Sequence, residues 1–292
     1  MKALAFPGGG SVPALGLGTW RMGESQRSKA AELAAVRLAL DVGYRLIDTA
    51  EMYGEGGAET VVGEAVAAAL RAGSLRREEL FVVSKVYPHN ASRAGTAAAC
   101  ERSRRRLGLD HIDLYLLHWR GQHPLRQTVE AFGALQEAGH IGRWGVSNFD
   151  LEDLQELEQV QEALGLPQGS VLGCASNQVY YSLSTRGPEF ALLPWMRARG
   201  MPLMAYSPID QGALCAVPPL EALAAKKACT PAQMALAWVV GQEGVLAIPK
   251  AVREAHLRDN LAAAHLDLSA TERAQLDRLF PPPRRRTALA MI

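Results

Sequence analysis

The 292-residue sequence has few cysteines. There are four (Cys100, Cys174, Cys215 and Cys229), with no CxxC pair and no histidine at metal-ligand spacing. Disulfide frameworks and zinc sites need paired or clustered cysteines. We therefore predict neither a disulfide nor a metal site, and we expect reduced, mostly buried thiols.

The sequence also lacks a long hydrophobic run. Nowhere do about 18 apolar residues follow one another, the length that a membrane-spanning helix requires. The apolar stretch before Pro7 is too short for a signal peptide. We expect no membrane partner and a cytoplasmic location.

No charge of one sign dominates, since 31 Lys and Arg residues face 30 Asp and Glu residues, for a net charge of +1. This balance does not favour nucleic acid as a partner, and a small-molecule ligand is expected instead. The basic clusters Arg102 to Arg106 and Arg284 to Arg286 are interpreted as solvated surface. With 48% hydrophobic residues, the chain can bury one large core, so residues 1–292 are expected to form one domain, by default a monomer.

Short apolar runs alternate with longer stretches of helical periodicity, which is typical of repeated β-α units. Helices are predicted around Ala30 to Asp41, Glu59 to Arg71 and Thr128 to Ala138, and helix starts at Thr230 with Gln233 and at Ser269 with Glu272. The eight predicted strands are Leu15 to Gly18, Arg45 to Asp48, Leu80 to Ser84, Asp113 to Leu117, Gly142 to Ser147, Ala175 to Gln178, Pro202 to Tyr206 and Val245 to Ile248.

A closed α/β barrel, the (β/α)₈ TIM barrel, fits eight such units in under 300 residues. A doubly wound open sheet is the alternative, but it normally carries GxGxxG between its first strand and helix, and this sequence lacks that motif. The run Gly8-Gly9-Gly10 suits a hairpin turn, and we expect an N-terminal β-hairpin to cap the bottom of the barrel.

Four polar residues lie at or just beyond the ends of successive predicted strands: Asp48, Tyr53, Lys85 and His118. Each has an ordinary structural explanation when taken alone, such as a helix cap, a packed aromatic ring or a surface cation. Because the strand ends of a barrel meet at one mouth, the four are expected to converge there.

Together these groups can protonate a carbonyl oxygen. A free tyrosine with a pKa near 10 is a poor donor unless its neighbours stabilise the phenolate. We predict that Tyr53 is the general acid, that Lys85 lowers its pKa and that Asp48 anchors Lys85. His118 is predicted to donate a hydrogen bond to the carbonyl oxygen.

Several segments resemble the aldo-keto reductase family, in its bacterial form with a short C-terminal tail. The first is Arg45-Leu-Ile-Asp48-Thr-Ala-Glu-Met-Tyr53-Gly-Glu. The others are Val83 to Val86, Leu107 to Trp119, Gly145 to Phe149, Ala205 to Ile209 and Ile248 to Lys250. The resemblance implies the barrel, the Asp-Tyr-Lys-His tetrad and NADPH-dependent reduction of aldehydes or ketones to alcohols.

The resemblance also implies a nicotinamide cofactor bound across the barrel mouth. It assigns the carboxamide to Ser147, Asn148 and Gln178, and the face of the nicotinamide ring to Tyr206. The remaining implied cofactor contacts are Trp20, Ser207, Ile209, Gln211, Lys250, Arg253, His256, Asp259 and Asn260.

The sequence departs from the family pattern near the expected 2′-phosphate. Ala251 stands where many relatives have Ser or Thr, and His256 where they often have Arg. Arg253 is expected to compensate. Because histidine carries only partial charge near neutral pH, NADPH is favoured while NADH stays possible.

The predicted substrate pocket is apolar and aromatic, and is formed by Trp20, Met52, Tyr87 and Trp119. Few residues follow Phe280, so an open pocket is expected. Two alternatives stay open: a regulatory or sensor protein that keeps the barrel and its cofactor, and a barrel enzyme of unrelated chemistry. The second would need a metal site or a carboxylate pair, for which Glu51 with Asp48 is a poor candidate.

Overall fold

The computed structural model describes residues 2–166 and 169–292. The first elements are the antiparallel strands β1 (Ala3–Ala5) and β2 (Ser11–Pro13). The three turn residues Gly8, Gly9 and Gly10 have φ angles of 76°, 97° and 73°, a region that glycine enters without steric cost. The glycine run therefore forms the predicted hairpin turn.

Eight parallel strands follow, and each pairs with the next one along the chain. They are β3 (Leu17–Gly18), β4 (Leu46–Asp48), β5 (Phe81–Val86), β6 (Ile112–Leu117), β7 (Ile141–Ser147), β8 (Cys174–Tyr180), β9 (Leu203–Tyr206) and β10 (Val245–Ala247). Most of their residues are buried, which explains why the strands appear in the sequence as apolar runs. All eight predicted strands are confirmed, with ends that differ by at most two residues.

The sheet closes on itself between its first and last strands. The Gly16 amide donates to the Ala247 carbonyl at 2.9 Å, and the Gly18 amide donates to the Pro249 carbonyl at 3.1 Å. These hydrogen bonds join β3 to β10, so the fold is the predicted (β/α)₈ barrel and not an open sheet.

Helices surround the barrel. Those that the structure describes are α1 (Gln26–Val42), α2 (Gly57–Arg71), α3 (Arg93–Leu107), α4 (Leu125–Glu137), α5 (Leu151–Ala163), α6 (Leu192–Ala198), α7 (Pro218–Lys226), α8 (Pro231–Val240), α9 (Glu254–Ala263) and α10 (Ala270–Leu279). The predicted capping boxes of α8 and α10 are both present. No helix within the described ranges is long and apolar enough to cross a membrane.

The hydrophobic core has two parts. One lies between the strands and the helices. The other fills the barrel interior, where Leu46, Leu116 and Met204 pack with Phe6 and Val12 of the hairpin. Phe6 also stacks on Phe81, at the beginning of β5, with ring centroids 5.5 Å apart. The hairpin therefore caps the barrel at the end where the strands begin, as predicted.

The segment after α10 returns to the opposite end of the barrel. Arg186 holds its start by donating to the Phe280 carbonyl at 2.5 Å, and Arg286 pairs with Asp150 and Glu152. Met291 then lines the main cavity at the barrel mouth. The tail thus packs back across the surface as far as the mouth, and the open pocket stays a prediction.

Candidate active site

A cavity of about 760 Å³ occupies the end of the barrel at which the parallel strands finish. This volume lies within the range of cofactor and ligand sites. Its walls include all but three of the site residues predicted from sequence, and the exceptions are Tyr87, Lys85 and Arg253. Lys85 lies just beneath the cavity wall, in contact with Asp48 and Tyr53.

Asp48 and Lys85 form a fully buried ion pair. Asp48 is the last residue of β4, and Lys85 points into the barrel from β5. The ammonium donates to both carboxylate oxygens, at 2.9 and 2.7 Å, and to the Thr49 carbonyl at 2.9 Å. Burial raises the pKa of Asp48 and lowers that of Lys85, and in both groups their mutual attraction opposes the shift. Asp48 thus fixes the position of the Lys85 ammonium beside the cavity wall.

Tyr53 lies in the 3-10 turn Tyr53–Gly56 that follows β4. Its hydroxyl oxygen accepts a hydrogen bond from the Lys85 ammonium at 3.3 Å, which leaves the phenolic proton free for another acceptor. Burial, with a smaller effect from Asp48, raises the pKa of Tyr53 well above its usual value. The direction is thus opposite to the predicted lowering by Lys85, because burial disfavours the charged phenolate.

His118 follows the last residue of β6 and is buried, with its ring 5.6 Å from that of Tyr53. Burial, and then the charge of Lys85, lower its pKa well below 6.5, so the imidazole is neutral near pH 7. Its Nδ1 atom has no hydrogen-bond partner among the residues that the structure describes. A neutral imidazole can donate one hydrogen bond without adding charge.

The predicted carboxamide-binding residues meet on one wall of the cavity. Gln178 donates from Nε2 to Asp48 at 2.7 Å, and Ser147 donates to the Gln178 carbonyl at 2.8 Å. Asn148, in a left-handed conformation with φ 59°, accepts a hydrogen bond from the Tyr206 hydroxyl at 2.9 Å. The three amide and hydroxyl groups therefore already form one network with the catalytic candidates.

Tyr206 presents one ring face to the cavity. Tyr180 stacks on its other face, with centroids 5.6 Å apart and an interplanar angle of 17°. The exposed face can therefore receive a flat aromatic ring, as the sequence resemblance implies.

The loop after Tyr206 has an unusual backbone. Ser207, Asp210 and Gln211 all have φ between 46° and 54°, although none is glycine. Such angles cost free energy and cluster at functional sites. The Asp210 carboxylate, which accepts hydrogen bonds from Tyr180 and Ser184, holds the loop in this shape. Ser207, Ile209 and Gln211 line the cavity as predicted.

The cavity's far end is formed by the segment after β10. Lys250, His256, Asp259 and Asn260 line it. Arg253, the N-cap residue of α9, does not line it. Arg253 has an extended backbone, whereas His256 lies within the first turn of α9, so the helical spacing that would place the two side chains on one face does not apply.

Trp20, Met52 and Trp119 line the cavity beside Tyr53, as predicted for the substrate pocket. Tyr87 lies behind them and packs edge-on against Trp119 at 5.0 Å. Sequence reasoning missed Arg21, which also lines the cavity and lies over the Trp20 ring at 4.4 Å. Its position next to Trp20 was the available signal.

Glu51 is not part of a carboxylate pair. Its side chain accepts hydrogen bonds from the Tyr87 amide at 2.8 Å and Asn90 at 3.0 Å, and pairs with Arg102 at 3.2 Å. Within residues 2–166 and 169–292, no group of three or more His, Cys, Asp or Glu side chains could hold a metal ion. The site is thus built around one buried Tyr-Lys-Asp cluster with an adjacent histidine.

The fold and this cluster define a β/α-barrel protein with a proton-donating site at the barrel mouth. The model of the aldo/keto reductase family matches residues 14–280. The chain therefore belongs to the aldo/keto reductase family, as its motifs indicated.

The chain is similar to several aldo-keto reductases and carbonyl reductases over nearly its whole length. Methylglyoxal reductase YeaE of Escherichia coli (strain K12) is 46% identical over 296 residues, which cover 100% of this chain and 99% of that protein. Glyoxal reductase of Bacillus subtilis (strain 168) is 33% identical over 93% of this chain and 90% of that protein. The crystal structure of an aldo-keto reductase from Klebsiella pneumoniae in complex with NADPH is 46% identical, covers 100% of both chains and has a TM-score of 0.90.

Proposed function

We propose that the protein is an NADPH-dependent reductase that converts aldehydes or ketones to alcohols. The observation that carries this proposal is the hydrogen bond from Lys85 to the Tyr53 hydroxyl, formed by an ammonium that Asp48 holds with two further bonds. This arrangement leaves the phenolic proton directed away from Lys85. The protein is thus built to deliver one proton inside a buried pocket.

The residues present fit a nicotinamide dinucleotide. The cavity is large enough, Tyr206 offers a free ring face, and Gln178 with its neighbours supplies amide and hydroxyl groups for a carboxamide. The loop from Ser207 to Gln211, in which Ser207, Asp210 and Gln211 are left-handed, and the cation of Lys250 suit phosphate groups. When bound, the reduced cofactor supplies a hydride to the carbonyl carbon.

In the proposed mechanism, Tyr53 donates its proton to the carbonyl oxygen. The Lys85 ammonium, already in contact with the tyrosine oxygen, stabilises the negative charge left on it. Neutral His118 donates a hydrogen bond to the same carbonyl oxygen and fixes its direction. Burial of all three groups excludes water and strengthens these interactions.

For the substrate we propose small aldehydes that carry a second carbonyl group. The support comes from the relatives named methylglyoxal reductase and glyoxal reductase. Trp20 and Trp119 line the same cavity as Tyr53 and would contact such a molecule there. NADPH is the proposed cofactor because a neighbour of 46% identity was crystallised with it.

The test is NADPH oxidation measured at 340 nm with methylglyoxal, glyoxal, simple aldehydes, keto acids and sugars. We expect turnover with the dicarbonyl aldehydes to exceed that with sugars. A protein that binds NADPH tightly but reduces none of these compounds would instead be the cofactor-binding sensor. We further propose that residues 1–292 form one domain and that the protein is cytoplasmic. We also propose that it is a monomer, which a sedimentation mass near 31.5 kDa would support.

A further inference from the structure

A second buried carboxylate lies behind the catalytic candidates, and the proposed mechanism does not use it. Glu59, in the first turn of α2, is 0% exposed. Its Oε1 accepts a hydrogen bond from the Ser84 hydroxyl at 2.5 Å. Ser84 and Lys85 are consecutive in β5, so their side chains point to opposite faces of the sheet. Glu59 therefore binds β5 from outside the barrel at Ser84, the residue next to Lys85.

The other oxygen of Glu59 is held by Arg106, near the end of α3. The guanidinium donates from Nε to Oε2 at 2.6 Å. Arg106 also packs directly on Gly56, where a Cβ atom would lie only 2.4 Å from its Nε. Gly56 closes the 3-10 turn that begins with Tyr53. The Glu59–Arg106 pair thus touches both the strand that carries Lys85 and the turn that carries Tyr53.

The charge of Glu59 also reaches Lys85. Burial lowers the pKa of Lys85, and the carboxylates of Asp48 and Glu59 oppose that lowering. Other ionisable groups face this region: Tyr53 and His118 on the cavity side, and Arg106, Tyr115 and Cys100 on the helix side.

We propose that Glu59, held by Ser84 and Arg106, is a positioning residue for carbonyl reduction, which fixes the Lys85–Tyr53 contact and places a negative charge behind the lysine from the outer face of the sheet. This inference rests on the proposed roles of Tyr53 and Lys85. Removing the Glu59 carboxylate from water costs free energy, and its ion pair with Arg106 compensates that cost.

The experiment is a cycle of Glu59→Gln, Arg106→Met and the double variant, each assayed for turnover against pH with saturating NADPH and methylglyoxal. Removing the negative charge of Glu59 should let Lys85 lose its proton more readily. The alkaline limb of the profile, where turnover falls as pH rises, should therefore move to lower pH by about half a unit to one unit. Arg106→Met removes a positive charge and should not move the alkaline limb to lower pH. In the double variant the limb should return toward that of the wild type. Turnover of Glu59→Gln should fall about tenfold while KM for NADPH stays within about twofold.

Asp113→Asn is the matched control. Asp113 also accepts a hydrogen bond from β5, at the Val82 amide, and pairs with Arg77 at 2.7 Å, but it lies at the opposite end of the barrel. The Asp113→Asn variant should have a lower thermal stability, and its alkaline limb should stay at the pH of the wild type.

Glu59 has only a structural role if Glu59→Gln behaves like this control, or if both single substitutions move the limb in the same direction. If Glu59→Gln does not fold, Arg106→Met is compared with the double variant instead. The proposal then requires the alkaline limb of the double variant to lie at lower pH than that of Arg106→Met. Tyr53→Phe separates the two proposals. Activity retained by that variant overturns the roles of the tetrad, whereas an unmoved limb overturns only the role of Glu59.

Discussion

Gln178 donates a hydrogen bond from its side-chain Nε2 to Oδ1 of Asp48 at 2.7 Å, across 130 residues of sequence. The same oxygen accepts a hydrogen bond from Lys85 at 2.9 Å. An acceptor-only carboxylate requires the NH₂ group of Gln178 to face it, so the orientation of the amide is fixed. The proposed carboxamide site and the proposed proton-donating site therefore share one atom.

Gln178→Leu should affect both cofactor binding and turnover. Loss of the amide removes a contact to the carboxamide and one of the hydrogen bonds to Asp48, so we expect the Kd for NADPH to rise and kcat to fall, each about tenfold. Fluorescence titration and single-turnover kinetics measure the two effects. Ser147→Ala is the control, because Ser147 contacts the Gln178 backbone. It should weaken NADPH binding alone, and an unchanged kcat in Gln178→Leu would show that the bond to Asp48 has no catalytic effect.

Tyr53→Phe should remove nearly all carbonyl reduction while leaving NADPH affinity almost unchanged. Only the proton donor is deleted, and general acid catalysis typically contributes about 10²- to 10⁴-fold. Stopped-flow measurement of NADPH oxidation, with hydride transfer rate-limiting, is the assay. Turnover near that of the wild type would mean that another group supplies the proton.

The rate of reduction should show no inflection from His118 or Tyr53 between about pH 6 and 9, so that an alkaline limb within this range belongs to Lys85, whose pKa burial lowers. Burial raises the pKa of Tyr53 above its usual value, so the donor form is lost only at higher pH than for a free tyrosine. Burial lowers the pKa of His118, so the imidazole becomes charged only at lower pH than free histidine. Both groups thus keep one protonation state across this range. A kcat profile at saturating substrate that bends near pH 6.5 would contradict the assignment of His118 as a neutral donor.

Lys85→Met should destabilise the fold as well as abolish reduction. It leaves the Asp48 carboxylate buried without its cation, and breaking a buried pair in this way costs about 3 to 5 kcal/mol. Urea denaturation without cofactor measures the change in the free energy of unfolding. Adding Asp48→Asn to this variant should recover part of the stability but none of the activity. If the single variant is as stable as the wild type, the pair does not stabilise the fold.

Lys250→Ala should weaken NADPH binding more than NADH binding, by about tenfold in their ratio, because it removes a charge-assisted contact to the 2′-phosphate. Arg253→Ala is a matched control on the same segment, since Arg253 lies outside the cavity lining. It should change the ratio much less. An equal loss for both cofactors in Lys250→Ala would place the phosphate elsewhere.

The catalytic candidates could be predicted from the sequence because their convergence follows from the fold. Asp48, Lys85 and His118 lie at or next to the ends of β4, β5 and β6, and parallel strands of a barrel end at one mouth. Once the β-α alternation is recognised, the order of residues along the chain suffices to bring them together. The hairpin turn and the capping boxes are equally local, because neighbouring residues form them.

Only the tertiary structure decided the features that depend on packing between distant segments. Three such features have no signal in the local sequence: the tail that places Met291 at the cavity, the position of Tyr87 behind Trp119, and the Glu59–Arg106 pair. The direction of the Tyr53 pKa shift belongs here too. The sequence predicted the lysine neighbour correctly but not the depth of burial, and burial raises the pKa of Tyr53 because it disfavours the charged phenolate.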